Sequence, residues 1–495
     1  MKTFDLTIPS QLMTALAPDI TLMVGAMGLL LWAAWGRESI QRQRAVGVGG
    51  MILCGIVAAM VVYFMQQGAG VGPGPIALDG FRWSADLVLL LATFATIALS
   101  MDYNEREGIT SAESHVLLLL ATSGMMVLVS ARDLIIVFLG IEIMSVAVYV
   151  LAGLNRRSDR AAEGALKYFL LGAFSTCFLL YGIALVYGAT GSTNLTTIAD
   201  RIGGTGPISP LLLIGMALLV VGFGFKIAAV PFHMWAPDVY EGAPTPVTAY
   251  MAAAVKAAAF ASFLRVWMEA FPQVFAQWHY AIWWLAAVTM VAGNLIALSQ
   301  KNIKRMLAYS SIAHAGYILV AVLARGSIGS SAFLFYLFAY TLATFGAFAV
   351  VIVLSGRGDR YLKIEDYAGL WTVRPWLAGS MAVFMLALLG FPIFGGIGFF
   401  AKWYLLQAAL DSITPLTNLS IILVLTSVVS AGYYLYVVLV MFMKPVSRPD
   451  SEPQPTGRLT QWVIAAAAVL ILAFGIFPDP VARLARSSVI VPIDR

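Results

Sequence analysis

The sequence predicts an all-α, polytopic membrane protein with about 14 transmembrane helices, and three observations predict it. Of the 495 residues, 60% are hydrophobic and only 11% are charged, where a soluble domain carries about 25%. The mean hydropathy is +0.87. Apolar runs of roughly 20 residues, the length that crosses a bilayer as a helix, recur from one end of the chain to the other.

In order along the chain, these runs cover approximately 16–35, 45–65, 84–101, 114–130, 132–153, 164–188, 210–240, 244–268, 279–299, 302–323, 329–354, 375–411, 417–443 and 459–478. The first follows a segment with Asp5 and one lysine, and reads as a first membrane helix rather than a cleaved signal. The seventh and twelfth are too long for one plain span. The seventh contains Pro231 and Pro237; the twelfth contains Gly390, Pro392, Gly395, Gly396 and Gly398. Proline removes a helix hydrogen bond and clashes with the preceding turn, so both are expected to be discontinuous.

Broken helices in corresponding positions of two halves suggest inverted repeats. The expected division is helices 1–3 in residues 1–110, a first five-helix repeat in 111–270, a second, inverted repeat in 271–445, and a last helix with its tail in 446–495. Lys226 precedes one break and Lys402 follows the other, which fits two units of opposite orientation.

Loop lysines and arginines set orientation. Alternate loops hold Arg37, Arg42 and Arg44; Arg106; Arg156, Arg157 and Arg160; Lys301, Lys304 and Arg305; Arg357, Arg360, Lys363 and Arg374; and Lys444, Arg448 and Arg458. The other face holds scattered single charges, among them Arg82, Arg132, Arg201 and Arg325. Both termini are therefore expected on the non-cytoplasmic side.

Several chemistries lack their residues. Cys54 and Cys177 are far apart in apolar segments and read as small buried hydrophobes. They form no CxxC, zinc or iron–sulfur spacing, and the chain has no dinucleotide fingerprint, P-loop or HExxH. The net charge of +5 sits in short loops, which is not a nucleic-acid pattern. No cofactor or metal site is expected in this chain.

Four ionisable residues lie near the middle of apolar runs: Glu142, Lys226, Lys256 and Lys402. A charge at the bilayer centre costs at least ~2.5–3.5 kcal/mol on insertion scales, so four at similar depth point to charge movement, and first to protons. Burial disfavours a charged ammonium and a nearby carboxylate restores it. Glu142 and Lys226 are expected to pair in this way, with static ion pairing as the alternative. Lys256 lies among alanines that permit close helix packing. Arg265 and Glu269, near the end of the same run, are expected to reach the interface. His233 and His314 are candidate relays, since neutral imidazole both gives and takes a proton. Tyr309, Ser310, Ser311 and Thr248 are candidate water-wire contacts, and the aromatics are read mostly as packing and interface anchors.

The stretch GFGFKIAAVPFHMWAPDVYEGAPTPVT (222–248) resembles the antiporter-like subunits of proton-pumping NADH:quinone oxidoreductase, respiratory complex I. YSSIAHAGYILVA (309–321), FLGIEIMSVAVYVLAGL (138–154) and FPIFGGIGFFAKWYLL (391–406) extend the resemblance over most of the chain, and the forms are most similar to the N branch. The resemblance implies that Glu142 matches the fifth-helix glutamate, Lys226 the lysine of the broken seventh helix, Lys256 the bridging lysine of the eighth, and Lys402 the terminal site of the broken twelfth. It implies a proton-translocating subunit without a redox centre, with FMN, iron–sulfur clusters and quinone held by other subunits. Its expected partners are adjacent antiporter-like and small membrane-arm subunits in a bacterial inner membrane. Two alternatives of the same ancestry are a stand-alone cation/proton antiporter subunit and the ferredoxin:plastoquinone complex of photosynthesis. A third is a scaffold whose charges only hold helices together.

Overall fold

The computed structural model describes residues 9–37, 39–67, 74–203, 208–446 and 457–490. Asp5 and Arg448, named above, lie outside the described residues. Among the described residues, twelve helices are long and apolar enough to cross a membrane. Two more crossings are made by pairs of shorter helices, Pro210–Lys226 with Trp235–Gly242 and Pro375–Leu389 with Ile397–Leu410. The fourteen passes coincide with the fourteen apolar runs, and beyond three isolated bridges there is no extended pairing among the described residues.

Helix ends follow local chemistry. The side chains of Asp79, Asp133, Ser158 and Asn302 accept from first-turn amides of the helices Gly80–Glu107, Leu134–Ala152, Asp159–Thr190 and Ile303–Ala324. Gly108 and Gly191 close two of these helices in the left-handed conformation. Two bridges, Ile76 with Ala131 and Asp133 with Asn194, mark one end of the bundle, and the bridge of Asn302 with Lys363 marks the other.

The passes differ sharply in burial. The eighth (Thr245–Glu269) is wholly buried and the tenth (Ile303–Ala324) is 94% buried, whereas the second (Ile40–Gln67) is 33% and the fourteenth (Arg458–Ile476) 22% buried. Across all the passes hydropathy is no guide to burial: the first (Ala17–Ala34) and the eighth share a mean hydropathy of 1.5 at 28% and 100% buried, because lipid tails are as apolar as a protein interior. The small side chains around Lys256 are a guide, since they let neighbouring backbones approach. A π-helical turn, Met251–Val255, immediately precedes Lys256; such bulges often mark functional positions.

Both breaks fall where the sequence places them, and each satisfies its freed backbone groups internally. In the seventh pass Ala228 adopts φ +55°; Val230 N–H donates to Thr289 Oγ1 (3.0 Å) and the Trp235 indole donates to the Phe225 carbonyl (3.0 Å). In the twelfth, Gly390 and Gly396 take φ +75° and +54°, a region glycine enters without Cβ strain. Gly398 lies against Ala387, where a Cβ would collide with the carbonyl. The two broken passes run in opposite directions, so Lys226 and Lys402 both fall in the half-helix nearer the Ala131 end.

The structure corrects the expectations for Cys177 and Arg265. Cys54 is buried, but Cys177 is exposed on the outside of the bundle. Arg265 does not reach the interface: it is 0% exposed. Its guanidinium donates to Asp79 at 2.7 and 2.8 Å and to Glu269 at 2.7 Å, and Glu269 also takes Arg132 at 2.8 Å.

Candidate functional site

Lys226 ends the first half of the broken seventh pass, and its Nζ donates to Ser145 Oγ at 2.7 Å and to the Tyr149 hydroxyl at 3.1 Å, both on the fifth pass. Glu142 sits one turn before Ser145, half-buried, within electrostatic reach of Lys226 but not in direct contact. The expected ion pair is thus replaced by a hydroxyl cradle with the carboxylate one turn away. Tyr149 is itself fixed by an edge-on contact with Tyr168, 4.7 Å between ring centroids.

Lys256 follows the π-helical turn and donates to the Ser311 carbonyl at 2.7 Å and to Ser311 Oγ at 2.6 Å. Tyr340 donates to the same Oγ at 2.9 Å. The Tyr240 hydroxyl, fully buried in the second half of the seventh pass, has no hydrogen-bond partner among the described residues and lies beside Ser311 and Tyr340.

Lys402 lies in the second half of the twelfth pass. Its Nζ donates to the Leu389 carbonyl freed by the break (2.8 Å) and to Ser427 Oγ (3.1 Å), and stands 4.8 Å over the Tyr317 ring. Tyr317 belongs to a polar knot in which Asn294 donates to its hydroxyl (2.9 Å) and Tyr433 donates to Asn294 Oδ1 (2.9 Å).

His314 connects these groups. Its Nδ1 is 2.6 Å from the Tyr336 hydroxyl and its Nε2 3.1 Å from that of Tyr434, which in turn contacts Ser310 Oγ. It senses both Lys256 and Lys402 electrostatically. His233 is half-buried at the seventh-pass break, with Nδ1 unpartnered among the described residues, and within reach of Lys256. Of the hydroxyls named from the sequence, Ser310 and Ser311 join the axis. Thr248 instead ties the eighth pass back to the seventh, donating to the Tyr240 carbonyl at 3.0 Å.

The anchors lie at matching depth. Ser145 is 11 residues from the start of Leu134–Ala152, Ser311 is 13 from the end of Ile303–Ala324, and Ser427 is 10 from the start of Thr417–Met443. Counted from the same face at 1.5 Å per residue, these are ~17, ~20 and ~15 Å deep.

Comparison with known proteins supplies the family. The family described as NADH:quinone oxidoreductase/Mrp antiporter, TM, matches residues 131–444. The chain is 53% identical over 485 residues to the NADH-quinone oxidoreductase subunit N of Gemmatimonas aurantiaca, covering 96% of this chain and 93% of that one. It is 42% identical to the subunit N of Trichlorobacter lovleyi, covering 96% and 97%. The chain belongs to the NADH-quinone oxidoreductase subunit N family. A chain of respiratory complex I from Thermus thermophilus superposes on this subunit N family member with TM-score 0.78 at 37% identity, covering 95% of this chain and 99% of that one. A chain of the Mrp complex from Dietzia sp. shares the fold, with TM-score 0.84 at 21% identity over 96% of each.

Within this subunit N family member, the sequence marks Lys226, Lys256 and Lys402, but it puts Lys304, which is 0% exposed, among the loop charges, and it leaves unmarked the groups around the three lysines and His314: Ser145, Tyr149, Ser427, and the tyrosines 317, 336, 340 and 434. A tyrosine in an apolar helix carries the same signal whether its ring packs or its hydroxyl relays. The positions i+3 and i+7 from Glu142 were the available hint for Ser145 and Tyr149.

Proposed function

We propose that the chain is the proton-translocating, non-redox membrane subunit of an NADH-quinone oxidoreductase, carrying protons along Lys226, Lys256 and Lys402. One observation carries this reading. Each of these three lysines is held by hydroxyls or carbonyls and, among the described residues, none by a direct carboxylate contact. A hydroxyl can accept from an ammonium and donate to an amine, so a lysine in such a cradle can release its proton and leave no orphaned anion. Arg265 is the contrast: locked between Asp79 and Glu269, it is built to keep its charge.

Quinone reduction elsewhere in the complex supplies the driving force. Glu142, one turn from the cradle of Lys226, tunes that site. His233 and Lys256 pass the proton on, and His314 hands it to Lys402. FMN, iron–sulfur clusters and quinone belong to other subunits, and the partners are neighbouring membrane-arm subunits. The relatives and the Thermus assembly support this placement. The two repeats are residues 111–270 and 271–445, and the basic loops put both termini on the periplasmic side of a bacterial inner membrane.

The test is proton pumping by membrane vesicles from a Lys226→Ala strain, with assembly checked on a native gel and NADH–quinone turnover followed in parallel. Lost pumping with slowed turnover in an assembled complex is expected. Unchanged pumping would return Lys226 to a structural role. Co-purification of the chain with flavin and iron–sulfur subunits separates this reading from a stand-alone antiporter.

A further inference from the structure

We propose that Phe335 and Tyr404 form an aromatic plug on the route by which the Lys402 site exchanges protons with the aqueous phase. The proposal rests on the reading of Lys402 as a proton carrier and adds the path beyond it.

Two cavities lie on one seam, between the eleventh pass (Gly326–Leu354) and the second half of the twelfth (Ile397–Leu410). The inner one is small and bounded by Lys402, His314, Tyr336, Tyr340 and Ala339. The outer one is an open groove lined by Ser327, Ser331, Phe335, Tyr404, Gln407 and Asp411, and roofed by the C-terminal helix Asp479–Ser487 through Ala482, Ala485 and Arg486.

Side chains three or four apart on a helix share a face. On the eleventh pass, Ser327, Ser331 and Phe335 line the groove, and Ala339 and Ala343, the next positions on that face, line the inner cavity. On the twelfth, Ala401 lines the inner cavity, whereas Tyr404, Gln407 and Asp411 line the groove. Phe335 and Tyr404 are therefore the last groove residues before the cavity on both walls. Their rings meet edge-on, 4.8 Å between centroids at 77°, and Phe335 is buried to 1% exposure.

The seam thus reads, from inside outward, as ammonium and imidazole, then two aromatic rings, then serines, glutamine, a carboxylate and a guanidinium. Water fills polar walls and leaves a narrow apolar constriction, and apolar constrictions gate by dewetting. Rotation of one ring about its side-chain bonds would open a single-file passage without moving either helix. The groove opens at the end of the bundle where the chain turns at Arg325 and at Asp411, the end expected to be periplasmic.

The experiment reads water access directly, on the assembled complex in oriented membrane vesicles. A Cys177→Ser background leaves buried Cys54 as the only other cysteine of this chain, and labelling is read on this chain after it is separated from the other subunits. Into it go Ser331→Cys, in the groove, and Ala339→Cys, in the inner cavity, each with and without Phe335→Ala, and each is exposed to a membrane-impermeant methanethiosulfonate. Ser331→Cys is expected to react in both backgrounds. Ala339→Cys is expected to react at least tenfold faster once Phe335 is truncated, and idle proteoliposomes carrying Phe335→Ala are expected to leak protons faster than the parent. Equal labelling of Ala339→Cys with and without Phe335, or an unchanged leak, overturns the plug. Labelling as expected together with normal pumping in Lys402→Ala would leave the plug standing as a water gate and remove the proton role of Lys402, so the two failures are distinct.

Discussion

Lys256 is held twice by one residue: its Nζ donates to the Ser311 carbonyl at 2.7 Å and to the Ser311 hydroxyl at 2.6 Å. The carbonyl only accepts, so it favours the ammonium. The hydroxyl both accepts and donates, so it serves either protonation state and also reaches Tyr340. Ser311→Ala keeps the first contact and deletes the second. A hydrogen bond to a charged group contributes ~1.5–3 kcal/mol. The variant complex is expected to assemble normally and lose roughly tenfold or more in the rate of proton pumping, at about 1.4 kcal/mol per tenfold. Vesicle acidification set against native-gel assembly checks this.

His314 has a hydroxyl on each ring nitrogen. His314→Leu removes both and leaves Tyr336 and Tyr434 facing an apolar side chain. Tyr434→Phe removes one contact and keeps the ring. The histidine variant should abolish coupled pumping, and the tyrosine variant should slow it several-fold. Equal effects would place the relay on the tyrosine and not on the imidazole.

Asp359, in the loop between the eleventh and twelfth passes, binds buried Lys304 at 3.3 Å and accepts from Thr245 at 3.1 Å. Burial alone would raise its carboxyl; Lys304, the Ser355 hydroxyl, Arg106 and Thr245 together hold it below its ordinary value. A depressed carboxyl stabilises the fold above its unfolded value, about 3.9, and that contribution is lost as pH falls through the lower folded value. Asp359→Asn suits the local backbone, φ +48°, which asparagine tolerates. At neutral pH it should cost about 2–3 kcal/mol, less than the ~3–5 of a wholly buried pair, because the Asp359 side chain keeps 17% exposure. Thermal unfolding in detergent at stepped pH should show the gap between parent and variant closing below about pH 4.

Arg265→Leu should strand Asp79 in the interior, while Glu269 keeps Arg132 at 2.8 Å, and cost about 3–5 kcal/mol. The expected outcome is loss of the assembled complex on native gels. Adding Asp79→Asn should recover part of it, since the orphaned charge is then gone. Normal assembly of the single variant would mean that water replaces the guanidinium.

All fourteen passes and both breaks were legible because lipid imposes a length and proline and glycine impose an interruption. Lys226, Lys256 and Lys402 were legible because charge is rare in such segments; Lys304, at a helix start beside other loop cations, was not, although it is fully buried. Contacts made by distant residues were not. Arg265 meets Asp79 from 186 positions away, and nothing local to either residue announces the other, so the arginine read as an interface anchor. Glu142 and Lys226 were rightly brought to neighbouring helices and wrongly placed in direct contact. The difference is one helical turn, occupied by Ser145, and serine in an apolar helix is too common to be noticed.

The common depth of Ser145, Ser311 and Ser427 has an electrical meaning. A membrane voltage does work on a charge only for the distance it travels along the field. Sites within ~5 Å of one another in a hydrocarbon layer of ~30 Å span about a sixth of the potential drop. At 100 mV, where a full crossing costs about 2.3 kcal/mol, a step between anchors costs ~0.4 kcal/mol or less. Transfer along the axis is sideways, nearly blind to the voltage it serves. The voltage must then weigh on the two perpendicular legs that join the axis to water, and a pump built this way would show its voltage dependence at its mouths rather than at its lysines.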